Sequence, residues 1–211
     1  MNHEVAVIGC LVREVGYECD QYWPIDQPLT FGKCKVTATT KPNQVMSKLL
    51  KTEVLVEVFA SADAAKAGKN PVKKSNVTHY WFNGWPDFGV PRTKEALEAF
   101  NTMADALTEV VCTDGSSKKP LIHCRAGQGR SGTLLACVSQ FYMLRKHPQN
   151  MMSIKDTLKF LREQRRFLVE TDAQYVFVQR QLEQKHTLME ADAKFKSTDE
   201  EKPFKLFDYY R

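Results

Sequence analysis

The ten residues from His123 to Gly132, HCRAGQGRSG, restrict the fold of this chain more than any other segment. They follow a short apolar strand, Pro120–Cys124 (PLIHC), and lead into Ser131–Lys146, a predicted helix stopped by Pro148. Two glycines within six residues of a cysteine, placed between a strand and a helix, predict a tight loop. Such a loop turns successive backbone N–H groups inward as an anion nest. The unpaired N–H groups and positive dipole end of the following helix face the same point. Arg130 adds a planar fork of donors suited to two phosphate oxygens. Cys124 then lies at the floor of a positive cradle that favours its nucleophilic thiolate. A buried structural cysteine in a glycine-rich turn is the plain alternative, and the spacing of Cys124 and Arg130 alone does not exclude it. His123, both glycines and the strand-to-helix context favour the cradle.

The rest of the chain supplies strands first and helices later. Strand-like segments are Val5–Val12, Lys35–Thr39, Thr52–Phe59 and Asn76–Phe82. Between the last two, Ser61–Ser75 has the Gly, Asn, Pro and Lys content of a surface loop, its lysines a solvated face. From Thr93 to Val111, Leu97, Phe100, Ala104, Leu107 and Val111 form a helical stripe, ended by the loop Thr113–Lys119. Ser153 with Asp156 opens a helix to Gln164, and Thr171 with Gln174 opens a last helix to about Phe195. This order predicts α+β or α/β packing: a twisted mixed β-sheet flanked by helices, with the phosphate loop between a strand and a helix. Residues 1–195 are expected to form one domain and residues 196–211 a tail, aromatic at Phe204, Phe207, Tyr209 and Tyr210.

Composition removes several functions. A net charge of +5 over 211 residues, with the basic residues dispersed, gives no indication of nucleic-acid binding. No apolar run reaches the ~18–20 residues of a membrane span. Val5–Val12 is preceded by no Lys or Arg and ends in Arg13-Glu14 without a small-x-small pattern, so a strand is expected rather than a signal segment. The cysteines Cys10, Cys19, Cys34, Cys112, Cys124 and Cys137 include no Cys-x-x-Cys pair and no His spacing suited to zinc. Reduced thiols and a cytoplasmic location are expected, with no metal and no cofactor. Delivery into another cell and the oligomeric state stay open.

A second loop, Trp85-Pro86-Asp87-Phe88-Gly89-Val90-Pro91, follows the aromatic strand and offers a carboxylic acid for a leaving oxygen. Alone, Asp87 reads equally as a turn residue. Together and in this order, WPDFGVP and HCRAGQGRSG resemble the tyrosine-specific protein phosphatases with a catalytic cysteine. Tyr22-Trp23-Pro24 after an acidic loop, and Glu163-Gln164-Arg165-Arg166 leading to Val169-Glu170-Thr171 and Gln174-Tyr175, extend the resemblance from about Val5 to about Glu183.

The resemblance implies hydrolysis of phosphotyrosine in proteins through a phosphocysteine on Cys124, without a metal. Arg130 and the loop of Arg125, Ala126, Gly127, Gln128 and Gly129 would bind the phosphoryl oxygens. Asp87 would act as acid and then base, Ser131 would stabilise the leaving thiolate, and Phe88 would pack on the substrate ring. His123 would fix the loop from the strand side, and Glu14 would orient Arg130. The family has further N-terminal helices and a recognition loop with a tyrosine, and the chain is expected to be N-terminally short relative to it. Three positions depart from the pattern: Gln128 replaces an aliphatic residue, Glu18 stands near Cys19 where Lys is common, and Glu170 replaces a water-positioning glutamine. Gln174 is expected either to take over that role or to serve as the capping partner of Thr171. A phosphoinositide phosphatase, suggested by Arg125, and a phosphotyrosine-binding module are the competing functions.

Overall fold

The computed structural model of the protein describes residues 4–86, 89–113 and 118–193. Asp87, Phe88, residues 114–117 of the predicted loop and the predicted tail 196–211 lie outside the described residues.

The apolar run at the start of the chain forms β1 (Glu4–Cys10), and its lack of polar alternation reflects its position inside the sheet. It lies between β6 (Lys73–Phe82) and β7 (Lys118–His123) and is parallel to both. On the far side of β6, β5 (Leu49–Val58) runs antiparallel along its whole length, followed by β3 (Cys34–Ala38) and β2 (Leu29–Phe31). β4 (Asn43–Met46) pairs with the start of β5, which completes a seven-stranded mixed sheet of order β2-β3-β5-β6-β1-β7 with β4 off that path. The mixed sheet and flanking helices match the predicted architecture. Because β1, β6 and β7 run in one direction, their carboxyl ends bring residues 11–21, 83–86 and 124–128 to one edge of the sheet. Parallel sheets bind ligands at that edge.

Helix α2 (Lys94–Cys112) starts at Thr93, whose hydroxyl accepts from Ala96 N–H at 3.2 Å, and buries Ala99, Phe100, Met103, Ala104 and Leu107. Helix α3 (Gly129–Lys146) is buried on most sides, and α4 (Ile154–Gln164) is capped by Ser153. The final helix α5 spans Asp172–Ala193. Trp85, fully buried, touches the rings of Phe82, Phe100 and Phe177 and ties sheet, α2 and α5 into one core.

The segment Ser61–Ser75 differs from its expected loop. Ser61 caps a short helix, α1 (Ala62–Lys66), by accepting from Ala64 N–H at 3.1 Å. Its last lysines belong to β6: Lys74 meets Glu57 at 3.0 Å and Lys73 meets Glu4 at 3.3 Å, so cross-strand charge pairs carry residues that look like loop. β2 and β4 escape a sequence reading because they are only three and four residues of ladder, too short for a periodic pattern to register.

Gly132 sets how closely α3 approaches the turn before α5. A Cβ there would stand 2.5 Å from Val169 N and 2.9 Å from the Leu168 Cα, backbone atoms that cannot rotate aside. Gly132→Ala is expected to lower stability by about 1–3 kcal/mol, read as a lower urea midpoint with an unchanged denaturant slope.

Candidate active site

The loop after β7 takes its shape from two hydrogen bonds on its outer side. Arg165, the C-cap of α4, donates from Nε to Gly127 O and from Nη2 to Ala126 O, both at 2.9 Å. In a planar trans peptide the N–H points opposite the carbonyl. Holding Ala126 O outward therefore turns Gly127 N–H inward, where it donates to Cys124 Sγ at 3.2 Å. Holding Gly127 O outward turns Gln128 N–H the same way. Gly127 sits at φ +69°, and a Cβ there would also press on the Arg165 guanidinium at 3.1 Å. The helix α3 begins at Gly129, two residues earlier than expected, so its N-terminus starts inside the loop. Cys124, 8% exposed, lines a cavity of about 380 Å³ with His123, Arg125, Gly127, Arg165 and Leu168.

Arg130 is buried, and its carboxylate partner differs from the expected one. Nη2 donates to Glu18 Oε1 at 2.8 Å, and Nη1 donates to Glu18 Oε2 at 3.1 Å and to Leu11 O at 2.8 Å. Both side chains are almost wholly enclosed. Glu18 Oε2 also accepts from Arg13 N–H at 2.7 Å. Glu14, predicted to orient Arg130, instead pairs with the Arg13 side chain at 2.5 Å on the exposed surface. The cause is the turn between them: Gly16, at φ +88°, donates to Cys19 O, and Glu18 N–H donates back to Glu14 O. This folds residue 18 inward and leaves residue 14 outside. The departure from the family pattern at Glu18 was the sequence signal for this role.

Gln174 performs the cap and also reaches the loop, through different atoms. Its Oε1 accepts from Glu170 N–H at 2.8 Å and Thr171 N–H at 3.3 Å, while Thr171 Oγ1 accepts from Gln174 N–H at 3.2 Å. Its Nε2 and the Glu170 Oε2 face Gly129, 3.0 and 2.8 Å from where a Cβ would stand. The preceding turn is strained, with Phe167 at φ 64° and Val169 at φ 60°. Arg162 holds it by donating to Leu168 O and Val169 O, each at 2.8 Å.

The other expected residues divide. Ser131 is buried, and its Oγ has no partner among the described residues. Gln128 is the N-cap residue of α3 without a side-chain capping bond. Arg125 is exposed and lies 4.9 Å over the ring of Tyr17, an exposed aromatic that the sequence reading did not include. Asp87 and Phe88 lie outside the described residues; on either side of them, Trp85 Nε1 donates to Gly89 O at 2.9 Å.

Beneath the loop, the Tyr22 hydroxyl stands 2.5 Å from His123 Nε2 and 3.1 Å from His79 Nε2. His123 Nδ1 is 3.3 Å from Cys124 O, and Trp23 stacks on His79 at 4.8 Å. Burial, and then the neighbouring His123, push His79 down to about 3, and burial also lowers His123, so both imidazoles are neutral. Burial pushes the Cys10 thiol up to about 12 and raises the Tyr22 phenol. His79 and Cys10 were not singled out in the sequence because only strand register brings them to His123.

The family model described as protein-tyrosine phosphatase matches residues 1–184. The chain is 30% identical over 178 residues to human receptor-type tyrosine-protein phosphatase H, covering 84% of the chain and 14% of that protein. It is 32% identical over 181 residues to rat receptor-type tyrosine-protein phosphatase zeta, covering 84% of the chain and 7% of that protein. The chain thus spans a small part of the length of these relatives. Its fold is similar to the catalytic domain of human protein tyrosine phosphatase non-receptor type 18, with a TM-score of 0.68 and 24% identity over 86% of this chain and 61% of that one. The same phosphatase in complex with HER2 phosphopeptides gives a TM-score of 0.69 at 22% identity, over 86% and 63% of the two chains.

The two acidic residues of the first loop separate by mutation. Glu18→Ala strands the buried Arg130 charge and is expected to cost about 3 kcal/mol or more, whereas Glu14→Ala removes an exposed pair and shifts stability by less than about 0.5 kcal/mol. Urea unfolding of the two variants measures the difference.

Proposed function

Because the chain belongs to the protein-tyrosine phosphatase family, we propose that it hydrolyses phosphotyrosine in proteins through a phosphocysteine on Cys124. The observation that carries this is the Gly127 N–H donating to Cys124 Sγ at the mouth of α3, with Arg130 buried six residues on. Arg130 and the N–H groups of residues 125–130 bind the three phosphoryl oxygens. Cys124 sulfur attacks phosphorus as the bond to the tyrosine oxygen breaks, and Asp87 gives that oxygen its proton. Asp87 then takes a proton from water as the water displaces sulfur and releases phosphate. Ser131 donates its hydroxyl to the departing thiolate, and Phe88 packs on the substrate ring.

The water step is where this chain departs from its family. Glu170 and the Gln174 amide share the space over Gly129, and the amide takes the positioning role. The alternative substrate, a phosphoinositide, drew its motivation from Arg125 as an extra cation. Arg125 lies over the ring of Tyr17, so one face of its guanidinium is occupied within the chain.

Residues 1–195 make up the catalytic unit in this reading and residues 196–211 the tail. No helix among the described residues is long and apolar enough to cross a membrane. The sulfur must stay reduced, and the six cysteines are free, which supports a reducing compartment such as the cytoplasm.

The test is phosphate release from a phosphotyrosine peptide, set against phosphatidylinositol phosphate vesicles. Wild-type chain is expected to prefer the peptide, and Cys124→Ser to lose turnover while still binding it. Asp87→Ala is expected to lower kcat by about 10²–10⁴-fold with little change in KM. Turnover persisting in Cys124→Ser excludes the thiol mechanism, and preference for the vesicles moves the substrate to the inositol class.

A further inference from the structure

The three parallel strands that carry the loops also converge three donor side chains that the proposed reaction does not use as reacting groups. In the sheet register Ile8 pairs with His79 and Cys10 pairs with His123. Residues two apart on a strand share a face, so Cys10, His79 and His123 project from the same face at the carboxyl ends of β1, β6 and β7. Their ligating atoms all lie within 4.8 Å of one another. Cys10 and His79 are buried and His123 is half-buried. The Tyr22 oxygen, in contact with both imidazoles, is a fourth donor.

We infer that Cys10, His79 and His123, with the Tyr22 oxygen, form a regulatory site for a thiophilic divalent ion of the zinc type directly beneath the phosphate loop. One thiolate, two imidazoles and one oxygen suit tetrahedral zinc, whose bonds of about 2.0–2.3 Å place donors roughly 3.3–3.7 Å apart. The Cys10, His79 and His123 atoms reach this by closing about 1 Å around the ion, while the Tyr22–His123 pair opens from 2.5 Å. On binding, Cys10 gives its thiol proton to solvent and His79 carries its ring proton on Nδ1 instead of Nε2, which frees the second imidazole lone pair.

Proton accounting fixes the tautomers of this cluster. The Tyr22 hydroxyl has one proton for two Nε2 atoms. His123 Nδ1 faces Cys124 O, so His123 carries its proton on Nδ1 and presents a bare Nε2 to the Tyr22 proton. His79 must then donate from Nε2 to the Tyr22 oxygen. The His123 lone pair is thus already aimed at the centre, and its proton already held by a carbonyl, an arrangement that orients metal-ligating imidazoles. Access is short. Cys19 is partly exposed and, like Tyr22, packs against the buried cluster that holds Cys10, and His123 also lines the cavity at the loop.

Metal binding pulls His123 Nε2 away from Tyr22, turns its ring and disturbs the Nδ1 contact on Cys124 O. The ion is therefore an inhibitor. The inhibition, though not the binding, rests on the activity proposed above.

The experiment titrates the reduced, chelator-treated full chain with Co²⁺ under argon. Wild type is expected to show one equivalent of tetrahedral cobalt with a thiolate-to-cobalt charge-transfer band that Zn²⁺ displaces. Cys124→Ser keeps the band. Cys10→Ala, folded by circular dichroism, loses it, and His79→Gln weakens or loses it should the first variant fail to fold. Zn²⁺ inhibition of phosphate release is expected to weaken about 10-fold or more in Cys10→Ala. No band in folded wild type, or a band lost in Cys124→Ser and kept in Cys10→Ala, overturns the site. If the chain releases no phosphate at all, the activity reading fails while the cobalt spectra still decide the site.

Discussion

The buried pair between Arg130 and Glu18 joins the exit of β1 to the first turn of α3, and the geometry of the loop between β7 and α3 depends on it. Taking both charges out of water costs several kcal/mol per ion, which mutual attraction offsets only when the remaining hydrogen-bonding capacity is filled. Here Leu11 O and Arg13 N–H supply further partners, both from the backbone immediately after β1. The guanidinium is thereby held in one orientation before any ligand arrives, which is the preorganisation that electrostatic catalysis requires. The arrangement also makes residues 11–18 part of the site, though none of them carries the proposed chemistry.

A second set of arginines works from outside. Arg165 turns two loop carbonyls away from the sulfur, and Arg162 holds the strained turn at Leu168 and Val169 against α3. That turn carries Glu170 and Gln174 to Gly129, so the proposed water position and the loop are braced by the same helix. With a carboxylate at residue 170 instead of the family's glutamine, the second chemical step rests on one amide that also caps α5. In the proposed mechanism, breakdown of the intermediate is therefore expected to be slow relative to its formation.

Much of this was legible in the sequence, for local reasons. The strand, glycine loop and helix around Cys124 were readable because turn chemistry and helix capping act over a few residues, and Ser153 and Thr171 cap where their spacing predicts. Mixed-sheet architecture followed from strands early and helices late. What failed was set by register and by turns that redirect side chains. Glu14 and Glu18 are equally acidic and close together, and only the positive φ at Gly16 decides which reaches Arg130. Cys10 and His79 look unrelated in the chain and meet because β1 and β6 pair in one register. The lysines that open β6 look like loop because their partners, Glu4 and Glu57, lie on other strands.

The central claim is that the Cys124 sulfur receives a phosphoryl group within this cradle. Rapid acid quench of the enzyme with a phosphotyrosine peptide, followed by intact mass and fragment sequencing, addresses it directly. The account predicts a single added phosphoryl group on Cys124 in the first turnover, absent in Cys124→Ser. Release of phosphate with no phosphorylated Cys124 at any quench time contradicts it.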